Sequence, residues 1–322
     1  MRKIIDCFIF FNELDLLEIR LRYLYKSVDY FVIVESDTTF NGENKKFNLK
    51  DNINRFKDFE DKIIYISLKM KDFPKKKNIA WEREKYQRNS IKKGLSEINL
   101  NKEDLILISD LDEIPNIEYL RKIQKKNYKT LKIQKKNNFL LSINLIVYFL
   151  KYFIKYFNKR KRMKYFLLLK RQYFILIKGF SKPINFKMLN CIYFINYKNI
   201  VGMWPGLQCI NSEWIKTFSI DEIRNFRNYP VKSVTEGWHF SYLGGIEKIK
   251  HKIKNFSHQE FNIKEITSDD NIKFCIENGY SLFEHYNNPK NVKQKYFKFD
   301  TKDFPREFQE IINDYETLIL GK

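Results

Sequence analysis

The chain has 322 residues, of which 43% are hydrophobic and 16% aromatic, and its net charge is +21. This composition supplies enough apolar material for a buried core, which excludes an intrinsically disordered protein, and the length suits one large α/β domain with or without an insertion. All of the excess charge lies between Tyr119 and Ser212, a stretch with 21 Lys and Arg and no Asp or Glu. Such a local excess indicates a surface for an anionic partner.

Strands and helices alternate through the N-terminal part of the chain. In order, the hydrophobic pattern predicts a strand over 3–11, a helix over 15–28, strands over 30–36 and 61–68, a long amphipathic helix over 78–98, and a strand over 104–115 that ends in acidic residues. This alternation predicts an α/β fold with a mostly parallel sheet covered by helices on both faces. Ligands of such sheets bind beyond the carboxyl ends of the strands.

Residues 139–187 interrupt this alternation, so we divide the chain into an N-terminal half (1–138), a basic helical insertion (139–187) and a C-terminal half (188–322). The insertion combines an apolar face with a basic stripe formed by Lys151, Lys155, Lys159 and Arg162. Its uncharged part, residues 139–150, is too short to span a bilayer. The pattern therefore predicts either a helix lying on an anionic membrane or a helical insertion packed on the domain.

The cysteines and the N-terminus bear on the compartment. Four cysteines are scattered in apolar surroundings without a CxxC pair, so we expect buried free thiols and no zinc knuckle. The apolar run at the N-terminus is interrupted by Asp6 and is too short for a membrane span. We therefore expect a cytoplasmic protein, which would be peripheral on the inner face of the membrane if the insertion binds there.

The acidic loop, residues 110–113, carries the clearest chemical signal. Asp110 and Asp112 follow a buried apolar strand at positions i and i+2, where two carboxylates can meet one hard cation. Mg²⁺ and Mn²⁺ both suit oxygen ligands, and such a cation would cancel charge on the diphosphate of a nucleotide-sugar donor. The alternative is a solvated turn in which Asp112 caps a following helix.

Four ordered stretches resemble the β-1,4-mannosyl-glycoprotein N-acetylglucosaminyltransferase family, glycosyltransferase family 17. They are FFNELDLLEIRLRYL (10–24), VDYFVIVESDTTFNGENK (28–45), WEREKYQRNSI (81–91) with LISDLDEIP (107–115), and GWHFSYLGG (237–245) with KIKNFSHQEF (252–261). The resemblance implies a GT-A-type nucleotide-sugar domain and an inverting transfer of N-acetylglucosamine, with UDP as the nucleotide of the donor. The basic insertion does not match the family pattern, so the acceptor is expected to be a hydroxyl of a glycan or of a glycolipid.

Polar residues near the ends of the predicted strands are candidate donor ligands. Asn12 and Glu13 lie where a nucleotide base or ribose would bind, or else form an ordinary helix start with Asn12 as N-cap. Glu35 is placed to accept hydrogen bonds from uracil or ribose, or to form a surface ion pair. Lys45 lies in a glycine-containing loop and either approaches phosphate or stays solvated. Arg88 either braces the acidic loop or the diphosphate with a bidentate fork, or is an exposed helix charge.

Histidine and aromatic residues supply further candidates. His239 lies in a glycine-flanked segment and is predicted to complete the metal site, because neutral imidazole suits Mn²⁺. The alternative is a buried histidine bonded to backbone, and His258 is a second candidate ligand. Trp81 and Tyr86 are predicted to be core residues rather than platforms for a sugar.

An inverting transfer needs one general base to deprotonate the acceptor hydroxyl. Glu236, three residues before His239, is the first choice, with Glu213 or Asp112 behind it. The predicted function is therefore metal-dependent transfer of a sugar from a nucleotide-sugar donor. Two alternatives use the basic segment 119–212, namely nucleic-acid binding and an inactive protein on a membrane surface. No RRM, KH or zinc pattern supports the first of these, so nucleic acid is not an expected partner.

Overall fold

One continuous β-sheet forms the centre of the part of the chain that the computed structural model describes, residues 2–70, 73, 79–125, 159–228, 232–287 and 292–322. Its strands are β1 (Ile4–Phe10), β2 (Tyr30–Ser36), β3 (Ile63–Leu68), β4 (Leu105–Asp110), β5 (Glu113–Ile114), β6 (Ile184–Ile192), β7 (Tyr197–Asn211), β8 (Lys232–Ser241) and β9 (Tyr296–Lys298). They lie in the order β3-β2-β1-β4-β7-β6-β8-β5, and β9 pairs with β7.

The helices fill the connections between these strands. The α-helices are α1 (Leu14–Leu24), α2 (Asn48–Asp51), α3 (Ile79–Asn89), α4 (Ile91–Leu95), α5 (Ile117–Lys125), α6 (Lys159–Leu176), α7 (Glu213–Thr217), α8 (Ile220–Arg224), α9 (Gly245–Asn255), α10 (Lys264–Thr267), α11 (Asp269–Asn278), α12 (Leu282–Asn287) and α13 (Arg306–Ile312). Short 3-10 helices span Ile53–Lys62, Asn225–Asn228, Gln259–Phe261, Thr301–Asp303 and Glu316–Leu318.

The predicted α/β fold is confirmed. Strands β1 to β4 pair in parallel with one another, β7 joins β4 in the antiparallel direction, and β6 runs parallel to β8. Successive side chains of a strand point to opposite faces of a sheet, and β1 follows this rule. Ile4, Phe8 and Phe10 belong to a core layer that includes α1, α5 and α13, whereas Ile5 and Cys7 belong to a second layer with α4, α7 and α8.

The long helix predicted over 78–98 is two helices instead. Helix α3 ends at Asn89 and α4 begins at Ile91, with the Ser90 hydroxyl donating to the carbonyl of Tyr86 at 3.0 Å. The second helix approaches β2 so closely that a Cβ added to Gly94 would lie 2.5 Å from a methyl carbon of Val32. Hydrophobic periodicity does not register such a break, because Tyr86 of α3 and Ile91 and Leu95 of α4 pack on the same core layer.

The basic insertion is described only in part. Residues 139–158 lie outside the described residues, and so do the side chains of the stripe residues Lys159 and Arg162. The described end of α6 packs on the second core layer, where the ring of Phe174 lies 5.5 Å from that of Phe218 and Ile175 is buried. No helix among the described residues is both long and apolar enough to cross a membrane. The four cysteines are all buried and free, as expected.

Candidate active site

A cavity of about 420 Å³ opens at the carboxyl ends of the parallel strands. It lies where β1 is flanked by β2 on one side and β4 on the other, the position at which open α/β sheets bind their ligands. Its charged lining residues are Glu13, Lys45, Glu84, Asp110, Asp112, Arg227 and Lys252. Cations and carboxylates are thus mixed in one cleft, and the carboxylates that line it are the candidates for metal binding and proton transfer.

Arg20 of α1 binds the backbone of the acidic loop. Its Nη1 donates to the backbone carbonyls of Asp110, Leu111 and Glu113 at 2.8 to 2.9 Å. The rest of the guanidinium forms a bidentate ion pair with Asp6 of β1, at 2.7 and 2.8 Å, and both side chains are fully buried. Charge-assisted bidentate bonds of this kind are strong and directional. The backbone of the loop is therefore held in place by the protein itself.

Asp110 is clamped by arginines. Its Oδ1 accepts from Arg88 at 3.0 Å and its Oδ2 from Arg224 at 2.6 Å, and Arg224 also binds Glu113. Burial favours the neutral acid, but the charges of Arg224 and Arg88 outweigh it and hold the pKa of Asp110 well below its usual range. Arg88 therefore braces the acidic loop, and it does not itself line the cavity. Both oxygens of Asp110 already have cationic partners.

Asp112 and His239 face each other across a short gap. The Oδ2 of Asp112 lies 3.7 Å from the Nε2 of His239 and 3.0 Å from the Nζ of Lys252. The Nδ1 of His239 lies 2.9 Å from the Oδ1 of Asn190, whose amide nitrogen donates to Tyr296 at 3.0 Å. This amide orientation puts the imidazole proton on Nδ1, so the Nε2 lone pair points toward Asp112. Burial lowers the pKa of His239, which favours the neutral ring.

Trp204 and Arg227 complete this wall of the cavity. The indole ring of Trp204 stacks on His239 with 4.3 Å between centroids and donates from Nε1 to Glu113 at 2.7 Å. Arg227 lies over the same indole, with long contacts of 3.4 Å to Glu113 and to the carbonyl of Pro205. Burial, with repulsion from neighbouring arginines, lowers the pKa of Arg227 to about 10. It remains protonated at neutral pH beside the cavity, and its hydrogen-bond partners among the described residues lie 3.4 Å away.

Glu35 does not lie at the cavity, which corrects its assignment as a donor ligand. It is fully buried and accepts from Lys45 at 2.7 Å, from Tyr65 at 2.9 Å and from the backbone of Asn48 and Leu49. A carboxylate with this many partners has little acceptor capacity left for a ligand. Its role is to hold the loop after β2, and through that loop it places Lys45 in the cavity lining.

Asn12 and Glu13, which follow β1 closely in the chain, point in different directions. Glu13 lines the cavity, with one carboxylate oxygen 3.6 Å from the Nζ of Lys252 and the other accepting from the backbone of Asn12. Asn12 turns outward and contacts His251 at 3.2 Å. It is not an N-cap, because α1 begins directly after Glu13 without a side-chain cap. Of this pair, only Glu13 reaches the main cavity.

Glu236, the predicted general base, is not among the residues that line the cavity. Its charged neighbours are Lys122 and Glu118 of α5, and burial raises its pKa. Glu213 lies elsewhere, with its carboxylate accepting from the backbone of Ser181 at 3.2 Å. Residues three apart on a strand are separated by about 10 Å, so closeness in sequence to His239 did not bring Glu236 to the site. The structure corrects both choices.

The far wall of the cavity is aromatic. Trp81, predicted as a core residue, is instead 39% exposed and lines the cavity edge-to-face with His258 at 4.5 Å. The Nδ1 of His258 pairs with Glu260 at 2.7 Å, so this imidazole already has a carboxylate partner outside the acidic loop. Tyr86 packs against the second core layer as predicted. This wall offers ring surfaces rather than ligands for a cation.

Comparison with known proteins identifies the family. The sequence model of glycosyltransferase family 17 matches residues 1–173, which is more than half of the chain. The chain belongs to glycosyltransferase family 17. It is similar to the β-1,4-mannosyl-glycoprotein 4-β-N-acetylglucosaminyltransferases of Rattus norvegicus and Homo sapiens, each 31% identical over 119 residues, and to that of Mus musculus at 30%. Each alignment covers 35% of this chain and 22% of the relative, so the match spans about a fifth of the relatives' length.

The residues that match the family-17 model contain only part of the candidate site. The matched residues include Glu13, Arg20, Arg88 and the acidic loop, whereas His239 and Lys252 lie beyond residue 173. No group of three or more His, Cys, Asp or Glu side chains within the described ranges is arranged to hold a metal ion alone. Mg²⁺ and Mn²⁺ are commonly held by one or two protein groups together with substrate phosphates and water. The Asp112 and His239 pair fits a divalent cation of this kind.

Several site residues of this family-17 chain were not predicted from its sequence; they are Arg20, Trp204, Arg224, Arg227 and Lys252. The role of Arg20 could have been predicted from the sequence. Arg20 is a charged residue on the buried face of α1, and Asp6 is a charged residue within a buried strand. Two opposite charges in apolar surroundings are expected to pair. The others carry no local signal, because each reaches the acidic loop from a distant part of the chain.

Proposed function

We propose that this family-17 chain transfers N-acetylglucosamine from UDP-N-acetylglucosamine to a hydroxyl of a glycan or glycolipid, with inversion and with Mn²⁺ or Mg²⁺ as cofactor. The observation that carries the proposal is the Asp112 and His239 pair, which faces a cavity at the carboxyl ends of parallel strands. The activity named for the similar relatives supports N-acetylglucosamine as the sugar. The parallel strands in the order β3-β2-β1-β4 support a GT-A-type nucleotide-sugar domain.

The diphosphate of the donor is proposed to lie beside Asp112, His239 and Arg227. Asp112 and His239 would hold the divalent cation, which when bound neutralises charge on the leaving diphosphate. Arg227 supports this placement because it is protonated, lines the cavity and, among the described residues, has hydrogen-bond contacts no shorter than 3.4 Å. Asp110 and its arginines keep the acidic loop in position. The chain's own cations therefore favour negative charge where the leaving group departs.

Glu13 is proposed to deprotonate the acceptor hydroxyl. Among the described residues four carboxylates line the cavity. Of these, Asp110 has arginines on both oxygens, and Glu84 is bound by Arg88 and by Ser257. Asp112 faces His239 and is assigned to the cation. Glu13 has a partly exposed carboxylate whose cationic neighbour lies 3.6 Å away, so it has room for an acceptor hydroxyl. A positioned general base contributes about 10²–10⁴-fold to such a reaction.

A donor screen tests the proposed function. The purified chain is incubated with UDP-N-acetylglucosamine, UDP-galactose, UDP-glucose or GDP-mannose, with Mn²⁺ or with EDTA, and release of the nucleoside diphosphate is measured. We expect release from UDP-N-acetylglucosamine with Mn²⁺, and loss of release with EDTA. The anomeric configuration of the product, read by NMR, tests inversion. Absence of release from every donor, with a glycan acceptor present, would refute the proposal.

The basic insertion is proposed to dock the enzyme on an anionic membrane, where a glycolipid acceptor would lie. The cluster of residues 159–162 contains four adjacent cations, and each cation near an anionic surface adds about 1 kcal/mol to binding. On the described part of α6, Phe166 and Tyr173 are 58% and 41% exposed and lie two helical turns apart. Exposed aromatic side chains next to a basic cluster are typical of interfacial helices.

A further inference from the structure

We propose that Lys252 is a built-in counter-ion, which occupies the place of the divalent cation beside Asp112 and leaves it when a nucleoside diphosphate enters. The cation and the donor would then bind together rather than separately. This inference rests on the proposed metal-dependent function and assigns a role to a residue beyond residues 1–173, which the family model matches.

Lys252 contacts two carboxylates that line the cavity. Its side chain comes from α9, and its Nζ lies 3.0 Å from the Oδ2 of Asp112 and 3.6 Å from the Oε1 of Glu13. The oxygen that it contacts, Oδ2, is the same one that faces the Nε2 of His239 at 3.7 Å. The ammonium group and a cation held by Asp112 and His239 would therefore compete for one oxygen. Both positions lie in the lining of the main cavity.

Electrostatic repulsion would keep the ammonium group of Lys252 and a divalent cation from lying beside Asp112 at the same time. A divalent cation held by Asp112 would lie within a few ångströms of the ammonium group, because Lys252 contacts the same carboxylate at 3.0 Å. Like charges at this distance repel strongly in a partly buried site. Lysine carries its charge on a flexible four-carbon stem, so Lys252 can swing away while its helix stays in place. The diphosphate supplies new acceptor oxygens for it on the cavity side.

This exchange predicts positive coupling between the cation and the donor. Without donor, Lys252 neutralises both Asp112 and Glu13, so a cation that binds alone must displace it without compensation. With donor, the phosphate oxygens accept the displaced ammonium group and bind the cation at the same time. Two ligands that each favour the same rearrangement raise each other's affinity, typically about 5- to 150-fold.

Binding of Mn²⁺ in the absence of turnover tests the inference. The affinity of the full chain for Mn²⁺ is measured by electron paramagnetic resonance, with and without UDP, for the wild type, Lys252→Met and Lys252→Arg. We expect UDP to tighten Mn²⁺ binding to the wild type by about tenfold or more. Lys252→Met should bind Mn²⁺ alone about tenfold more tightly than the wild type does. UDP should then tighten Mn²⁺ binding by a smaller factor than in the wild type, because the phosphate oxygens still bind the cation but no lysine has to be displaced. Lys252→Arg keeps the positive charge and should restore coupling.

Lys248 provides the matched control. It lies one turn earlier on α9, is exposed, and pairs with Asp15 at 3.4 Å outside the main cavity. Lys248→Met removes the same charge from the same helix and should leave both Mn²⁺ affinities unchanged. A merely structural role for Lys252 would lower Mn²⁺ affinity on substitution, whereas release of a competing charge raises it.

The outcomes separate this inference from the proposed function. If Lys252→Met binds Mn²⁺ no more tightly than the wild type while UDP still tightens wild-type binding, the counter-ion role is wrong and the metal-dependent function stands. If the wild type binds UDP but binds no Mn²⁺ with or without it, the cation of the proposed function is wrong, and this inference falls with it. Thermal melting of each variant confirms that the chain remains folded.

Discussion

Replacing Arg20 by methionine is expected to destabilise the fold and to disable the acidic loop at the same time. The guanidinium is fully buried, forms a bidentate ion pair with Asp6 and donates to three backbone carbonyls of residues 110–113. Removing one partner of a buried ion pair costs about 3–5 kcal/mol, because the other charge is left without compensation. This cost is a large part of the stability of a typical protein, which is about 5–15 kcal/mol.

A double-mutant cycle separates the two effects. Asp6→Leu alone leaves Arg20 uncompensated and should cost a similar amount, whereas the double variant carries an apolar pair and should cost less than the two single losses added together. We expect a coupling energy of about 2–3 kcal/mol between the two positions. The double variant still lacks the donor to the loop carbonyls, so donor turnover should stay about 10²-fold below the wild type, as for a misplaced catalytic group.

Urea denaturation, followed by tryptophan fluorescence, measures the free energy of unfolding of the four proteins in the cycle, and release of UDP measures turnover. If the two single costs simply add, the ion pair does not hold the fold. If the double variant regains wild-type turnover, Arg20 does not act through the carbonyls of the acidic loop. Either result would refute the role derived for Arg20.

Further substitutions test the other assignments. Asp112→Asn should abolish Mn²⁺-dependent UDP release while its melting curve stays close to that of the wild type, and retained turnover would remove the metal assignment. Glu13→Gln should lower kcat by about 10²–10⁴-fold and leave the Kd for UDP unchanged. Glu236→Gln is the control and should change kcat little. A higher Kd for UDP in Glu13→Gln would make Glu13 a donor ligand instead. Arg227→Met should weaken binding of UDP by about tenfold, a typical loss for a charge-assisted hydrogen bond, and leave binding of uridine unchanged; equal losses would indicate a structural role. Liposome co-sedimentation should require acidic lipid, weaken with salt and fall when the four basic residues 159–162 become glutamine, whereas equal binding to neutral liposomes would exclude the membrane proposal.

The amino-acid sequence determined the elements whose signal is local. Strands β1, β2 and β4 are mostly apolar runs, and their predicted positions agree with the structure to within one or two residues at most ends. The acidic loop was equally readable, because Asp110 and Asp112 are two positions apart directly after a buried strand. In each case the residues that decide the structure are neighbours along the chain, so a short window of sequence contains the whole signal.

The partners of that loop were decided only by the tertiary structure. Arg224 reaches Asp110 from 114 positions away and Lys252 reaches Asp112 from 140, and no local pattern records such pairs. The same physics explains why Glu236 lies outside the lining of the cavity while Glu13 lies within it. An extended strand carries Glu236 away from His239 within three residues, whereas the sheet brings the end of β1 beside the acidic loop that follows β4. Closeness in the chain and closeness in space differ wherever strands that are distant in sequence lie side by side.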